Sequence, residues 1–190
     1  MPVNSVADLV RLAREKPGQL TFGSSGIGTP PHMAAELFKR AARIEVVHVP
    51  YKGASPALVD LMAGRISFTM DGTVIQLPEV KTGRIKALAV TGTQRLPSLP
   101  GVPTVAESGL SGFEYLSWMG ISAPAGTPKG IVTRLNQAIV GILGTAQARE
   151  WFAEQGGEPK GERPDEFAAF IKAEHSKWGA IVREAGIAAQ

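Results

Sequence analysis

Cysteine is absent from this 190-residue chain, which excludes disulfides, thiolate catalysis and Cys-ligated metals without fixing the compartment. Long apolar runs are absent too. No stretch approaches the roughly 18 residues of a membrane span, and the opening Met1-Pro2-Val3-Asn4-Ser5 has no charged-then-apolar export leader. Taken as complete, the chain would stay in the cytoplasm. Basic runs interleaved with aromatics are also missing. Twenty basic against 17 acidic residues leave a net charge of +3, so no nucleic-acid partner is expected and the charge balance only weakly favours an anionic ligand. His32, His48 and His175 are scattered, without H-x-x-x-H spacing or a carboxylate at ligand distance in sequence, so no metal site is expected. There is no internal repeat or low-complexity tract.

What is present begins with a hydrophobic content of 44%, enough for a proper core in one large domain or two small ones. The most informative stretch is Thr21-Phe22-Gly23-Ser24-Ser25-Gly26-Ile27-Gly28-Thr29-Pro30-Pro31-His32. It reads as a strand, a glycine-rich turn and a helix start. Thr29 is placed to cap a helix whose first position, Pro30, needs no backbone donor. Met33, Leu37, Phe38 and Ala41 then follow at helical spacing. A helix start behind Gly and Ser residues offers unpaired N–H groups and partial positive charge, which suits a carboxylate or phosphate. The competing reading is a tight βα turn whose glycines serve only close packing. No Gly-Lys-Ser/Thr follows, so this is not a Walker loop, and Pro31 stands where a G-x-G-x-x-G fingerprint needs its third glycine.

Taken in order, Ser5 with Asp8 resembles a capping box for a first helix carrying Val6, Leu9, Val10 and Ala13, stopped by Pro17-Gly18. After the glycine loop unit, Ile44 to Val49 alternates as a second strand ended by Pro50-Tyr51-Lys52-Gly53. Ser55 and Pro56 are expected to open a helix with Leu58, Leu61 and Met62 facing inward until Gly64. Ile66, Phe68 and Met70 form a third strand leading to Asp71-Gly72-Thr73 and a short helical stretch through Leu77 and Val80. Ile85 to Val90, nearly all apolar, is expected to be a fourth strand. Strands separated by helices imply parallel pairing, with the ligand outside their carboxyl ends, where Gly23 to Thr29, Tyr51 to Gly53 and Asp71 to Thr73 converge.

Beyond Val90 the pattern changes. Arg95 to Pro103 is a proline-rich connector that is neither helix nor central strand. Thr104 and Glu107 repeat the capping-box pattern before a short helix ending at Gly109, and Phe113 to Ala123 reads as extended and aromatic-rich. Pro124 to Pro128 opens a long helix with Ile131, Val132, Leu135, Ile139 and Leu143 on one stripe, closed by Gly144. A shorter helix carries Trp151 and Phe152. A last one starts near Pro164-Asp165-Glu166 and shows Phe167, Phe170, Ile171, Trp178, Ile181 and Val182 before Gly186. These helices have wide apolar faces and about one strand to cover them, so a burial partner is missing, and a homodimer through the exposed stripes is one way to supply it. Trp118, Trp151 and Trp178 sit in apolar stripes and read as core.

Together these residues resemble the Bug-type solute receptors of tripartite tricarboxylate transporters, a family of periplasmic binding proteins. The resemblance runs through Lys16-Pro17-Gly18, Ser24-Ser25-Gly26 with Gly28-Thr29 and His32, and Val47-His48-Val49-Pro50-Tyr51-Lys52-Gly53. It continues in Leu88-Ala89-Val90-Thr91-Gly92, Val102-Pro103-Thr104-Val105-Ala106-Glu107 and Ala123-Pro124-Ala125-Gly126-Thr127-Pro128. It implies an α/β fold of the Venus-flytrap kind, with one complete parallel βαβ lobe plus the C-terminal part of a second. Residues 1–91 would be the ligand-binding lobe, 92–112 the crossing and 113–190 the helical portion of the other lobe, lacking the strands, signal peptide and second anion loop that the family carries upstream.

The resemblance further implies a periplasmic, non-enzymatic receptor for a small carboxylate, without cofactor or catalytic residues, that works with the membrane components of such a transporter. Ser24, Ser25, Gly26, Gly28 and Thr29 would grip the carboxylate, with His32 beside them, and Tyr51, Lys52 and Gly53 would line the second junction. Asp71 stands where the family often has an acidic residue near the ligand, although Gly72 replaces a common Asn and Asp71 also fits a plain turn. Pro30-Pro31 removes two N–H groups from the helix start. From the residues alone, His32 reads as ordering the loop, His48 as a strand residue bonded to backbone and Lys52 as a solvated charge. The alternatives are a cytosolic ligand-sensing or interaction module and a hydrolase using Ser24 or Ser25, the latter without a G-x-S-x-G elbow.

Overall fold

The structure, a computed structural model, describes residues 1–185. Gly186, expected to stop the last helix, lies outside the described residues, as does the side chain of Ile181. The chain opens with α1 (Val6–Glu15), where the Ser5 hydroxyl accepts the Asp8 N–H at 3.0 Å. The Asp8 carboxylate in turn takes the Asn4 N–H at 3.1 Å, one residue earlier than a standard box. Val6, Leu9 and Ala13 of α1 are buried, as the helical spacing predicts.

Three parallel strands follow, β1 (Thr21–Ser24), β2 (Val47–Pro50) and β3 (Phe68–Thr69), in the order β2-β1-β3. Helix α2 (Pro30–Ala42) links β1 to β2, α3 (Ala54–Met62) links β2 to β3, and α4 (Thr73–Lys81) leaves β3. The glycine-loop strand is therefore central, bonded on both edges. Phe22 pairs in register with His48 on one side and Phe68 on the other. Phe22 is fully buried and Phe38 of α2 meets Phe68 edge-on at 6.2 Å. Each such ring contributes about 1.5–3 kcal/mol by burial. α2 ends at Arg43 in the left-handed conformation with φ 51, and Arg14 of α1 donates to the Ala42 carbonyl at 2.7 Å, satisfying one end of that helix.

Several sequence expectations need correction. Ile85–Val90 does not form a strand. Its single pairing among the described residues is a parallel bridge from Val90 to Thr104, because the facing segment contains Pro100 and Pro103, and proline cannot donate to a ladder. Ser55 does not cap α3. Gly53, at φ 114, stands at that position instead. Thr104 and Glu107 do make both capping-box bonds, at 3.0 and 2.7 Å, but only turns follow and Gly109, at φ 103, ends them before a helix can form. Phe113 to Ala123 is extended without being a strand. The Tyr115 N–H reaches the Thr91 carbonyl at 2.9 Å, and from Leu116 onward the side chains are exposed.

The C-terminal helices are α5 (Lys129–Leu143), α6 (Ala146–Glu154) and α7 (Pro164–Ala185). Neither α5 nor α6 has a buried residue, so the stripe of Ile131 and Leu135 meets solvent. Trp118 and Trp151 are exposed rather than core, whereas Trp178 packs on the main core, edge-on to Tyr115 at 5.2 Å. The apolar pattern of these helices is sound, but burial needs an opposing surface that the described residues do not supply.

Candidate functional site

The loop leaving β1 is held from below. Ser24 has no exposure. Its hydroxyl donates to the Gly26 carbonyl at 3.0 Å, accepts the Gly26 N–H at 3.2 Å and lies 2.6 Å from His48 Nε2. With the hydroxyl proton committed to a carbonyl, His48 is the donor in that last contact. The separation would suit a nucleophile and base, yet a serine buried this way cannot meet a substrate carbonyl. The expectation that His48 bonds backbone is thus corrected: its partner is the Ser24 side chain.

At the other end of the loop, the Gly28 N–H donates to His32 Nδ1 at 3.0 Å. Thr29 caps α2 by position, as its spacing predicts, but its hydroxyl donates to the Gly26 carbonyl at 2.6 Å and makes no capping bond. The Thr29 N–H reaches the same carbonyl at 3.4 Å. Three of the five amides from Ser25 to Thr29 therefore point at protein acceptors. The Ser25 and Ile27 amides have no protein partner among the described residues. Of the amides foreseen from sequence as anion donors, these two are left without a protein acceptor; Ser25 is partly exposed, and Ile27 and Gly28 are exposed.

The second junction is joined to the first. Tyr51 N–H donates to the Ser24 carbonyl at 3.0 Å and Gly53 N–H to the Ser25 carbonyl at 3.2 Å. The Tyr51 hydroxyl donates to Asp60 at 2.7 Å, so it is turned toward α3 rather than held free. Lys52 is exposed. Asp71 follows β3, whose Thr69 pairs with Gly23, so it emerges at about the level of Ser25. Its carboxylate accepts the Gly72 N–H at 2.8 Å, and burial pushes its pKa above the ordinary carboxylate value despite that bond. The sheet thus brings the 24–29 and 51–53 segments into contact and sets Asp71 on the adjoining strand.

Two features escaped the sequence reading. Tyr115, from the segment after the connector, is buried and donates its hydroxyl to the Pro30 carbonyl at 2.9 Å, tying the far part of the chain to the start of α2. Burial, with Glu174 and Asp71 nearby, pushes its pKa up to about 12. Thr73, at the start of α4, donates to the Gln155 carbonyl at 2.9 Å. Nothing in the local sequence signals either pairing, because 85 and 82 residues separate the partners. The inward place of His48 was legible: it continues the alternation of Ile44 and Val46, both buried.

Comparison with known proteins bears on this arrangement. The family model described as "Tripartite tricarboxylate transporter family receptor" matches residues 1–187. A UPF0065 protein from the tcbD-tcbE intergenic region of Pseudomonas sp. (strain P51) is 41% identical over 180 residues, covering 94% of this chain and 54% of that protein. Protein BugT of Bordetella pertussis is 32% identical, covering 98% and 57%. The chain thus spans little more than half the length of these relatives. Among solved structures, R. palustris Rpa4515 with adipate aligns at TM-score 0.94 and 41% identity, covering 99% of this chain and 63% of that one. MatC from Rhodopseudomonas palustris with bound malate aligns at 0.86 and 29%, covering 95% and 63%. The periplasmic binding protein BugD aligns at 0.89 and 30%, covering 100% and 64%. The fold is accordingly that of a periplasmic binding protein, with a parallel βαβ lobe and part of a second. With the family model matched over nearly its whole length, the chain belongs to the tripartite tricarboxylate transporter receptor family.

Proposed function

We propose that the chain is the carboxylate-gripping part of an extracytoplasmic receptor that captures a small organic acid, a dicarboxylate first among them, and passes it to the membrane components of a tripartite tricarboxylate transporter without chemical change. The observation that carries this reading is the pair of unpartnered amides, Ser25 and Ile27, on a loop whose other amides are taken by Ser24, His32 and the Gly26 carbonyl. The loop presents two N–H groups without a protein acceptor and has no carboxylate of its own. The Ser25 and Ile27 amides form the grip in this reading, with Gly26, Gly28 and Thr29 shaping the loop, Tyr51, Lys52 and Gly53 lining the second junction, Ser24 and His32 beneath and Asp71 at the edge. The adipate and malate in the two relatives support the choice of ligand class.

Two charge-assisted bonds contribute ~3–6 kcal/mol, which corresponds to ~6 mM to ~40 μM before the cost of ordering the ligand weakens it. The remainder comes from closure of a second lobe. In this proposal residues 1–91 are the gripping lobe, 92–112 the crossing, and 113–190 belong to the closing lobe. The periplasm is the proposed compartment.

Titration calorimetry of the chain with adipate, malate, tricarboxylates, amino acids and aromatic acids, with the ligand recovered and identified by NMR, tests the proposal. Saturable binding of a carboxylate recovered intact is expected. Turnover of any ligand, or no binding of any acid, refutes it.

A further inference from the structure

Beneath the loop lie three near-parallel rings clustered around His48, with Phe22 and His32 6.2 Å apart. Phe22 stacks on His48 at 4.7 Å and His48 on His32 at 4.0 Å, with interplanar angles of 13° and 10°. The two imidazoles in this cluster hold opposite ends of the loop, His48 through Ser24 Oγ at 2.6 Å and His32 through the Gly28 N–H at 3.0 Å. We infer that His32 and His48 are positioning residues that keep the Ser25 and Ile27 amides aimed at the ligand, and that they do so only while both rings are uncharged. This rests on the carboxylate-binding reading above and deepens it.

The bonds set the tautomers. His32 Nδ1 accepts, so its proton is on Nε2, which lies 3.8 Å from Glu36 Oε1. Adding a proton at Nδ1 would set a donor against the Gly28 N–H, and that end of the loop would be released. Protonating His48 keeps its bond to Ser24 but places a charge 4.0 Å from the buried His32 ring. The ionisable groups facing the pair are few. From α2 they are Glu36 and Lys39, which are paired with each other at 2.7 Å; β1 offers only Phe22 and Ser24. Burial lowers both imidazole pKa values, and Lys39 adds to the lowering while Glu36 opposes it. The two rings therefore stay neutral at neutral pH, and the loop keeps its shape there.

The test uses the whole chain and two readouts. Calorimetry with adipate between about pH 4 and 8 compares wild type with His32→Leu, His32→Asn, His48→Leu and His48→Gln. Asn places an acceptor near the Nδ1 position and Gln a donor near Nε2. Each Leu variant is expected to lose about tenfold to a hundredfold in affinity at pH 7, and Asn and Gln to regain most of it. Beyond the weakening common to all as adipate itself is protonated, a further loss on acidification is expected in wild type and the His48 variants, which keep His32, and not in the His32 variants. Nitrogen-15 spectra of the imidazoles supply the second readout, independent of any ligand. A neutral Nε2–H tautomer at His32, with the Gly28 amide shift following its titration, is expected. An Nδ1–H tautomer or a charged ring at pH 7 overturns the inference, as does a Leu variant with wild-type affinity and pH profile. Should wild type bind no acid, the binding proposal falls while the spectra still decide the positioning of the loop.

Discussion

The two loop glycines with positive φ make different demands, and replacing each by alanine separates backbone strain from crowding. Gly26 has φ 138 and Gly28 φ 76. A Cβ at Gly28 would meet nothing within 4 Å, and one at Gly26 would make only ordinary contacts with Thr29 Cγ2 at 3.4 Å and the Tyr51 carbonyl at 3.5 Å. The penalty in both variants is therefore conformational. Gly28→Ala must hold a left-handed residue, costing ~1 kcal/mol, whereas Gly26→Ala must hold a dihedral that is nearly glycine-only, costing up to ~3 kcal/mol. For a chain of this length these correspond to losses of about 2–4 °C and about 6–12 °C in Tm. The Gly26 carbonyl also accepts from Ser24, the Thr29 hydroxyl and the Thr29 N–H, so relaxing residue 26 disturbs the whole loop and adipate affinity should fall at least tenfold. Gly28→Ala should lose less than half as much in binding free energy. Thermal unfolding and calorimetry read both quantities. A Gly26→Ala variant within about 0.5 kcal/mol of wild type, or less damaging than Gly28→Ala, would refute the assignment of this loop's geometry.

Three further outcomes are expected. Burial, and then His32, hold the His48 pKa at about 4 against an ordinary 6.5, so between those values the unfolded chain binds more protons and stability falls with acidification. Taken whole the shift is worth about 3 kcal/mol, reduced to about 1–2 by partial exposure; denaturant midpoints at several pH values should lose that fall in His48→Gln, and an unchanged slope would count against the buried neutral ring. Burial raises the Asp71 pKa, so its ionised form costs stability above the unfolded carboxylate value and the cost disappears below it. Asp71→Asn should therefore raise Tm at pH 7 and not at about pH 3, and an equal effect at both would exclude this account. At Gly156, with φ 72, a Cβ would lie 2.8 Å from Thr73 Oγ1 and 3.0 Å from Thr73 Cβ. Gly156→Ala should cost ~2 kcal/mol and be partly rescued by Thr73→Ala, whereas strict additivity in the double variant would mean the contact is not close.

The parts of the fold that were legible in the sequence share a physical basis. Ser5 with Asp8 and Thr29 with Pro30 act within a few residues, and the alternation of Ile44, Val46 and His48 fixes which side chains face inward before any partner strand is known. The misreadings share a basis too. Ile85 to Val90 has the composition of a covered strand but lacks a neighbour able to donate along its length, and Phe113 to Ala123 has the aromatic content of a strand with a single bond at Tyr115. Trp118 and Trp151 have the spacing of core residues and remain exposed. Pattern reports what a segment can bury, and pairing depends on what stands opposite.

The same division holds at the site. By itself the sequence determined that a glycine loop would stand between a strand and a helix, that parallel strands would gather Tyr51 to Gly53 and Asp71 beside it, and that its motifs are those of a carboxylate receptor family. Only the tertiary structure decided which of the loop's donors are left without a protein acceptor. Gly26, Gly28 and Thr29 spend their amides on Ser24, His32 and the Gly26 carbonyl, leaving Ser25 and Ile27. A hydrogen bond has a direction and one donor proton, and where that proton goes is settled by contacts between segments that the local sequence does not encode.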